Sequence, residues 1–116
     1  MMKERRMAHR ASANNRVSIY TVSGEVHKAN LTNISATGLA IIFSAPADVG
    51  AKLLLKFSLF IGNKRKEFKI GCVVEHSHLK GNQYYIGVSF FSNTQAQEDD
   101  IIAYVEERNN LQSLAG

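Results

Sequence analysis

Two groups of polar residues have the types and the spacing to bind an anionic ligand. The first is the run Asn33-Ile34-Ser35-Ala36-Thr37-Gly38, which stands between two apolar, strand-like segments. A strand that ends in Asn-x-Ser and turns through a glycine places two small polar side chains at a surface corner, where they bond a ligand or cap the turn itself. Gly38 allows a positive φ or the close approach of another group.

The second group is a set of arginines at the start of the chain. Arg5, Arg6 and Arg10 lie within the first ten residues together with Lys3, and only Glu4 opposes them there. Basic clusters of this kind favour anionic partners such as nucleotides, nucleic acids or acidic protein surfaces. The two groups together therefore predict a binding function.

Length and composition favour one domain with an ordinary core. The chain has 116 residues, of which 45% are hydrophobic and 21% charged, and its net charge is +4. No apolar run reaches the roughly 18 residues that a membrane helix needs, and the start lacks the apolar core of a secretory signal. Cys72 is the only cysteine, so it has no partner for a disulfide, which fits a reducing compartment. We therefore expect a cytoplasmic protein that does not contact the membrane.

The pattern of side chains divides the chain into three parts. Residues 1–15 show no apolar period, which predicts a flexible N-terminal arm. Residues 16–92 show short alternating runs separated by turn residues, as β-strands do. Near the start of residues 93–110, Thr94-Gln95-Ala96-Gln97 has the form of a capping box. They predict one amphipathic helix that covers the open end or side of the sheet.

Six short strands and one terminal helix predict an all-β fold, either a small antiparallel barrel or a strongly bent sheet. The strict alternation of apolar residues from Leu53 to Leu59 indicates a strand that is at least half buried. Gly62-Asn63 and Leu79–Asn82 are predicted to form tight turns. Gly71, in the middle of a strand, predicts a bulge or a close backbone approach.

The two polar groups together match the sequence motifs of a known family. Arg6-Met7-Ala8-His9-Arg10 fits an RxxxR motif, and Asn33–Gly38 fits the [D/N]xSxxG motif that follows it in PilZ domains. The segments Gly71–Val74 and Tyr85–Phe90 also match the family in order and spacing. The chain therefore resembles one PilZ domain over nearly all of residues 1–116.

PilZ domains are bacterial receptors for cyclic di-GMP that are built as six-stranded antiparallel barrels, and the resemblance implies the same fold and ligand here. This ligand has two phosphates and two guanines, and arginine suits both because its planar cation bonds phosphate and the guanine O6/N7 edge. The resemblance implies that arginines clamp the ligand from the arm while Asn33 and Ser35 bond it from the barrel. The implied ligand-binding residues are Arg5, Arg6, Arg10, Asn33, Ser35 and Gly38.

Two details of the implied site concern affinity and stoichiometry. Asn33 is expected to face the N1 and N2 donors of a guanine, where an aspartate would offer two acceptor oxygens and asparagine offers one. We therefore expect a lower affinity than an aspartate would give. In this family an arginine just before RxxxR, here Arg5, tends to accompany a stacked pair of ligand molecules. We expect two cyclic di-GMP molecules per domain and no other cofactor.

The remaining candidates for chemistry are weak. The sequence shows no nucleophile and base arrangement, no paired carboxylates at a cleft and no phosphate-cradling glycine loop, so we predict that the chain is not an enzyme. His76 and His78 could share a face of a strand, but no third metal ligand has a suitable spacing, so we assign them to the surface. The basic run from Lys64 to Lys69 is interpreted as solvated surface.

Three functions remain open on the sequence. The first is a cyclic di-GMP receptor in which binding orders the arginine arm against the barrel and alters a surface read by an effector protein. The second is a PilZ-like adaptor that binds no ligand. The third is a basic nucleic-acid-binding barrel, which is disfavoured because no aromatic platform with interleaved basic residues is evident on one strand face. The chain is too short for an output domain, so the partner is expected to be another protein or, in a ligand-dependent homodimer, another copy.

Overall fold

Six strands and one helix form the part of the chain that the structure describes. A computed structural model gives the backbone of residues 10–115 and the side chains of residues 10–110. The elements in chain order are β1 (Arg10–Tyr20), β2 (Val26–Ser35), β3 (Gly38–Phe43), β4 (Lys52–Ile61), β5 (Lys64–Lys80), β6 (Gln83–Phe90) and α1 (Gln95–Ala115). The strands form a closed antiparallel barrel in the order β1-β2-β3-β6-β5-β4. The predicted all-β barrel with a C-terminal helix is confirmed.

Two of the hairpins turn through glycines, as predicted. Gly62 and Gly81 have φ values of 65° and 68°, in the left-handed region that residues with a Cβ rarely adopt. They lie in the loops that connect β4 to β5 and β5 to β6, and the residues that flank each loop pair directly. These two turns therefore set the register of three neighbouring strands.

The core fills the inside of the barrel and comes from alternate residues of the strands. On β4, Leu55, Phe57 and Leu59 are buried, which agrees with the predicted alternation. Phe57 stacks on Phe68 of β5 with the ring centroids 5.2 Å apart. Cys72 is also buried, and burial raises the pKa of its thiol to about 12. The sulfur therefore packs as an apolar group and is not a reactive thiolate.

The barrel closes between β1 and β4 through a short seam. The paired residues are Ser18 with Lys56, Ile19 with Leu55 and Tyr20 with Leu54. By contrast, β1 pairs with β2 from Arg10 to Tyr20 with one register shift. Beyond the seam, the side-chain amide of Asn15 donates a hydrogen bond to the backbone oxygen of Ser58 at 2.6 Å. A side chain thus joins the two strands where their backbone pairing has ended.

Helix α1 begins at the predicted capping box and packs against β1, β2 and β4. The backbone N–H of Thr94 donates to Gln97 Oε1 at 2.9 Å, and the N–H of Gln97 donates to Thr94 Oγ1 at 3.1 Å. The buried face of the helix carries Ile101, Tyr104 and Val105, which is the predicted apolar stripe. No helix in residues 10–115 combines the length and the hydropathy that a membrane-spanning segment requires.

Two element boundaries differ from the predictions. Strand β1 begins at Arg10 and not at residue 16, because residues 10–12 pair with residues 33–35 of β2. Its inward residue there is Ala11, which is buried but too small to give a clear apolar alternation in the sequence. Helix α1 continues to Ala115 and does not end at residue 110. The helix continues through its two asparagines because asparagine costs less than about 1 kcal/mol in a helix. No glycine or proline follows to end it before Gly116.

Gly71 provides a close approach and does not form a bulge. The register shift between β5 and β6 falls between Val74 and His76, so a bulge at Gly71 is wrong. A Cβ on Gly71 would lie 2.8 Å from the ring of Phe91 and 2.9 Å from Ser92 Oγ. The absence of a side chain at this position lets the chain after β6 cross the face of β5.

Gly38 and Gly87 both lack room for a side chain, but for different reasons. A Cβ on Gly38 would collide with the backbone carbonyl oxygen of Val88 and lie 3.2 Å from the Cα of Ser89. A Cβ on Gly87 would collide only with the imidazole ring of His76, and His76 is exposed. The backbone of β6 cannot move without breaking its pairing with β3, whereas an exposed ring can rotate away.

We therefore predict opposite tolerance of alanine at the two glycines. Gly38→Ala should lower the free energy of unfolding by about 1–3 kcal/mol, the usual cost of overpacking. Gly87→Ala should cost less than about 1 kcal/mol because only a surface ring must move. Denaturant unfolding of both variants measures the difference, and a Gly38→Ala variant as stable as Gly87→Ala would contradict the assigned contacts.

The packing of α1 gives a second prediction with its own matched control. Ile101 is fully buried and its neighbour Ile102 is 36% exposed. Ile101→Ala should therefore lower the free energy of unfolding by about 2–5 kcal/mol, whereas the chemically identical change Ile102→Ala should cost less than about 1 kcal/mol. Equal losses for the two variants in urea unfolding would show that the helix does not pack on this face.

Candidate ligand-binding site

Arg10 and Asn33 are brought into contact by the pairing of β1 with β2. The register places Arg10 beside Ser35 and Ser12 beside Asn33. The guanidinium Nη1 of Arg10 donates a hydrogen bond to Oδ1 of Asn33, and the Arg10 residue is exposed. One predicted arginine and the predicted asparagine therefore form a single polar cluster on the outer surface of the barrel.

The amide of Asn33 is held in one orientation by three partners. Its Nδ2 donates to the hydroxyl of Tyr85 at 3.0 Å and to Thr32 Oγ1 at 3.2 Å. Because both donor directions are occupied by acceptors, the carbonyl oxygen faces Arg10. That oxygen accepts at most one further hydrogen bond, which limits what Asn33 can offer a guanine.

Ser35 lies inside the corner that follows β2. It is 1% exposed and is the one buried polar residue among those described. Its hydroxyl donates to the backbone oxygen of Gly38 at 3.3 Å and accepts from the backbone N–H of Thr37 at 3.3 Å. Of the two roles that the sequence left open for Ser35, turn capping is therefore observed. Contact with a ligand stays a prediction.

Gly38 closes the same corner against β6. It is not among the glycines with positive φ, so it is required by the close approach of Val88 described above and not by an unusual backbone conformation. A contact between Gly38 and a ligand also stays a prediction. Arg5 and Arg6 lie outside the described residues.

A row of aromatic rings lies beside Asn33 and was missed by the sequence analysis. Tyr85 of β6 stands opposite His78 of β5, and His76 stands opposite Gly87. The ring centroid of Tyr85 is 5.3 Å from that of His78 and 6.0 Å from that of His76. The ammonium of Lys80 lies 5.4 Å from the Tyr85 centroid. This aromatic row places three nearly parallel rings and a cation within reach of a planar ligand.

The histidines of the aromatic row do not belong to a recognisable metal centre. Residues 10–110 contain no group of three or more His, Cys, Asp or Glu side chains that could hold a metal ion. The signal that could have found the row is the β5–β6 hairpin itself. Once its register is known, the pattern His76-x-His78 on one strand and Tyr85 on the other places the rings side by side.

A shallow depression of about 140 Å³ lies between Arg10 and the aromatic row. Its lining includes Arg10, His76, Glu75 and Ser89. The hydroxyl of Ser89 donates to Glu75 Oε2 at 2.5 Å. The depression therefore combines a guanidinium donor, a carboxylate acceptor and an aromatic ring. Such groups can bind a phosphate, the donor edge of a guanine and the face of a base, respectively.

Comparison with known proteins identifies the family. The family model for the PilZ domain matches residues 4–107. No curated protein matches the chain at the sequence level. Among solved structures, the Bacillus subtilis inhibitor of motility MotI/DgrA superimposes with a TM-score of 0.81 at 18% identity over 89% of this chain and 50% of that one.

Two further similar structures contain cyclic di-GMP. The PilZ domain of Escherichia coli YcgR with c-di-GMP has a TM-score of 0.66 at 11% identity, over 91% of this chain and 92% of that one. The K. pneumonia MrkH–c-di-GMP complex has a TM-score of 0.74 at 15% identity, over 92% of this chain and 53% of that one. The chain thus spans about half the length of MotI/DgrA and MrkH. Because the family model covers most of its length and the fold agrees, the chain belongs to the PilZ domain family.

Proposed function

We propose that this protein is a receptor for cyclic di-GMP and not an enzyme. The observation that carries the proposal is the hydrogen bond from Arg10 to Asn33, which joins the two family motifs on one outer face of the barrel. Membership of the PilZ family supports the ligand class. The fold shared with the YcgR and MrkH structures that contain c-di-GMP supports it further.

The proposed binding mode follows from the donors and acceptors around the depression. Arg6 and Arg10 bind the phosphates and the O6/N7 edge of a guanine, since guanidinium groups give paired donors in one plane. Asn33 uses its remaining lone pair for a guanine N–H. The aromatic row supplies a face on which a base stacks. Ser35 and Gly38 form the corner against which the ligand backbone rests.

The proposed signal is a change at the surface of the barrel. Binding orders the segment that carries Arg5 and Arg6 against the barrel, and the entropy of ordering offsets part of the interaction energy. The complex then presents a surface that an effector protein recognises, or that a second copy of the chain recognises in a ligand-dependent homodimer. A cytoplasmic location belongs to the same proposal.

Calorimetric titration with cyclic di-GMP tests the receptor function. Wild type should bind cyclic di-GMP and not GTP, and Arg6→Ala and Arg10→Ala should each weaken binding at least about tenfold, as the loss of charge-assisted hydrogen bonds does. Arg108→Ala, which removes an exposed arginine of α1, is the matched control and should bind like wild type. Added salt should weaken binding because the anchors are arginine to phosphate.

The same titration measures stoichiometry. The presence of Arg5 just before RxxxR predicts saturation at two ligands per chain. Saturation at one ligand would contradict this stoichiometry but not the receptor function. If titration with cyclic di-GMP gives no binding heat for wild type or for any variant, and the native fold is retained, the receptor proposal fails. The protein would then act as an adaptor that works through protein contacts alone.

Another prediction concerns the limited acceptor capacity of Asn33. In Asn33→Asp, the hydroxyls of Tyr85 and Thr32 turn to donate to the oxygen that replaces Nδ2. The other oxygen, now part of a carboxylate, pairs with Arg10 and offers a guanine N–H a charge-assisted hydrogen bond. The affinity for cyclic di-GMP should rise roughly 3- to 10-fold, which corresponds to the difference between a neutral and a charge-assisted hydrogen bond. Asn33→Ala serves as the comparison and should bind more weakly than wild type. An Asp variant no tighter than the Ala variant would mean that residue 33 does not face the ligand.

A further inference from the structure

A wide groove lies on another part of the barrel. We call it the seam groove, because it runs along the outer side of the β1–β4 seam and has a volume of about 480 Å³. The residues used below that line it are Arg16, Ser18 and Tyr20 of β1, Lys28 of β2, Lys56, Ser58 and Phe60 of β4, and Arg65 and Glu67 of β5. In the barrel order, β1 and β4 lie away from the β3–β6 pair that carries the depression described above.

The two central strands of the seam groove carry the same outward pattern. On β1 the alternating residues are Arg16, Ser18 and Tyr20, and on β4 the corresponding residues are Lys56, Ser58 and Phe60. Alternate residues of a strand point to the same face, so each strand presents a basic, a polar and an aromatic side chain in turn. This is an interleaved basic and aromatic platform, which the sequence analysis did not find on any strand face.

Positive charge dominates the seam groove. Its ionisable lining residues are Arg16, Lys28, Lys56, Arg65 and one acid, Glu67, which is four positive charges against one negative. Glu67 lies 3.2 Å from Arg65. Within residues 10–110, Arg16 and Lys56 form no ion pair. The groove therefore has net positive charge that the described part of the chain does not neutralise.

Two of the cations are held in position by hydroxyl groups on the groove floor. Lys28 Nζ donates to Ser18 Oγ at 2.7 Å, and Arg65 Nε donates to Ser58 Oγ at 3.2 Å. Each bond lies between neighbouring strands, so the cations follow the sheet across β2, β1, β4 and β5. Strands are about 4.8 Å apart, which spreads the four charges along a path of about 14 Å.

The path of positive charges continues beyond the seam groove, as the binding of a linear ligand requires. A second depression of about 230 Å³ shares Arg16 and Lys28 and extends to Asn30 and Gln83. Its lining contains no carboxylate. A compact anion would need only one of the two depressions, whereas a polymer with regularly spaced negative charges can occupy both.

The aromatic residues distinguish between the polyanions that could bind. Phe60 is 65% exposed and Tyr20 is half-buried at the opposite side of the seam. An acidic polypeptide could bind through the cations alone and would not need the exposed aromatic rings. Single-stranded nucleic acid uses both features, because its backbone follows the positive groove while its bases stack on exposed rings. We propose that the seam groove binds single-stranded nucleic acid, with phosphates on Arg16 and Lys56 and a base on Phe60. This proposal does not depend on cyclic di-GMP binding.

Fluorescence anisotropy with a labelled oligothymidylate of about 15 nucleotides tests the proposal on the full chain at low salt. Lys56→Glu should weaken binding about tenfold or more, because it replaces an attraction for phosphate by a repulsion. Lys52→Glu, an equal change on the same strand outside the groove, should have little effect. Phe60→Ala should weaken binding at least about fivefold, as the loss of one stacked base does. Phe91→Ala, which removes a phenylalanine that is 56% exposed elsewhere, is its control.

Three results would overturn the proposal, provided that circular dichroism shows the native fold in each variant. One is the absence of oligonucleotide binding by wild type. Another is equal weakening by Lys56→Glu and Lys52→Glu, which would indicate attraction to net charge without a site. The third is binding of polyglutamate as tight as that of the oligonucleotide together with no effect of Phe60→Ala, which would assign the groove to acidic protein segments.

Discussion

The unequal pairing of β1 on its two sides is the constraint on which the rest of the structure depends. Toward β2 the strand pairs from Arg10 to Tyr20, and toward β4 it pairs only from Ser18 to Tyr20. The long pairing carries Arg10 to the corner at Asn33. The short pairing closes the barrel yet leaves the outer surface concave beside Arg16. One strand thereby contributes a cation to each of two separate surfaces.

The two surfaces hold their polar groups in different ways. At the corner, Asn33 is bound by Arg10, Thr32 and Tyr85, so its amide is oriented before any ligand arrives, which lowers the entropy lost on binding. In the seam groove, Arg16 and Lys56 have no such partners within residues 10–110, and their charge is left for counterions or a ligand. The corner is therefore built for a ligand of defined shape, whereas the groove suits one of defined charge.

Local patterns were sufficient to predict most of the fold, and contacts distant in sequence were not. Alternation, turn glycines and the Thr94 capping box predicted six strands, their hairpins and the helix. The start of β1 was missed because its inward residue, Ala11, has little apolar surface. At the site, the motifs identified Arg10 and Asn33, but Tyr85 is 52 residues from Asn33. Only the complete barrel order brings β6 beside that corner, and no periodicity within a strand encodes the order.

The geometry of the corner divides the Asn-x-Ser-x-x-Gly motif into two physical roles. Asn33 is partly exposed, whereas Ser35 is buried and bonded to Thr37 and Gly38, and Gly38 is pressed against Val88. Substitution of Ser35 or Gly38 would therefore disturb the corner whether or not either residue touches a ligand. Loss of binding in such variants is expected from the position of Asn33 alone, because a displaced corner moves its carbonyl away from Arg10. Contact can be inferred only from side chains whose removal leaves the corner in place, and Arg10, Asn33 and Tyr85 are those side chains.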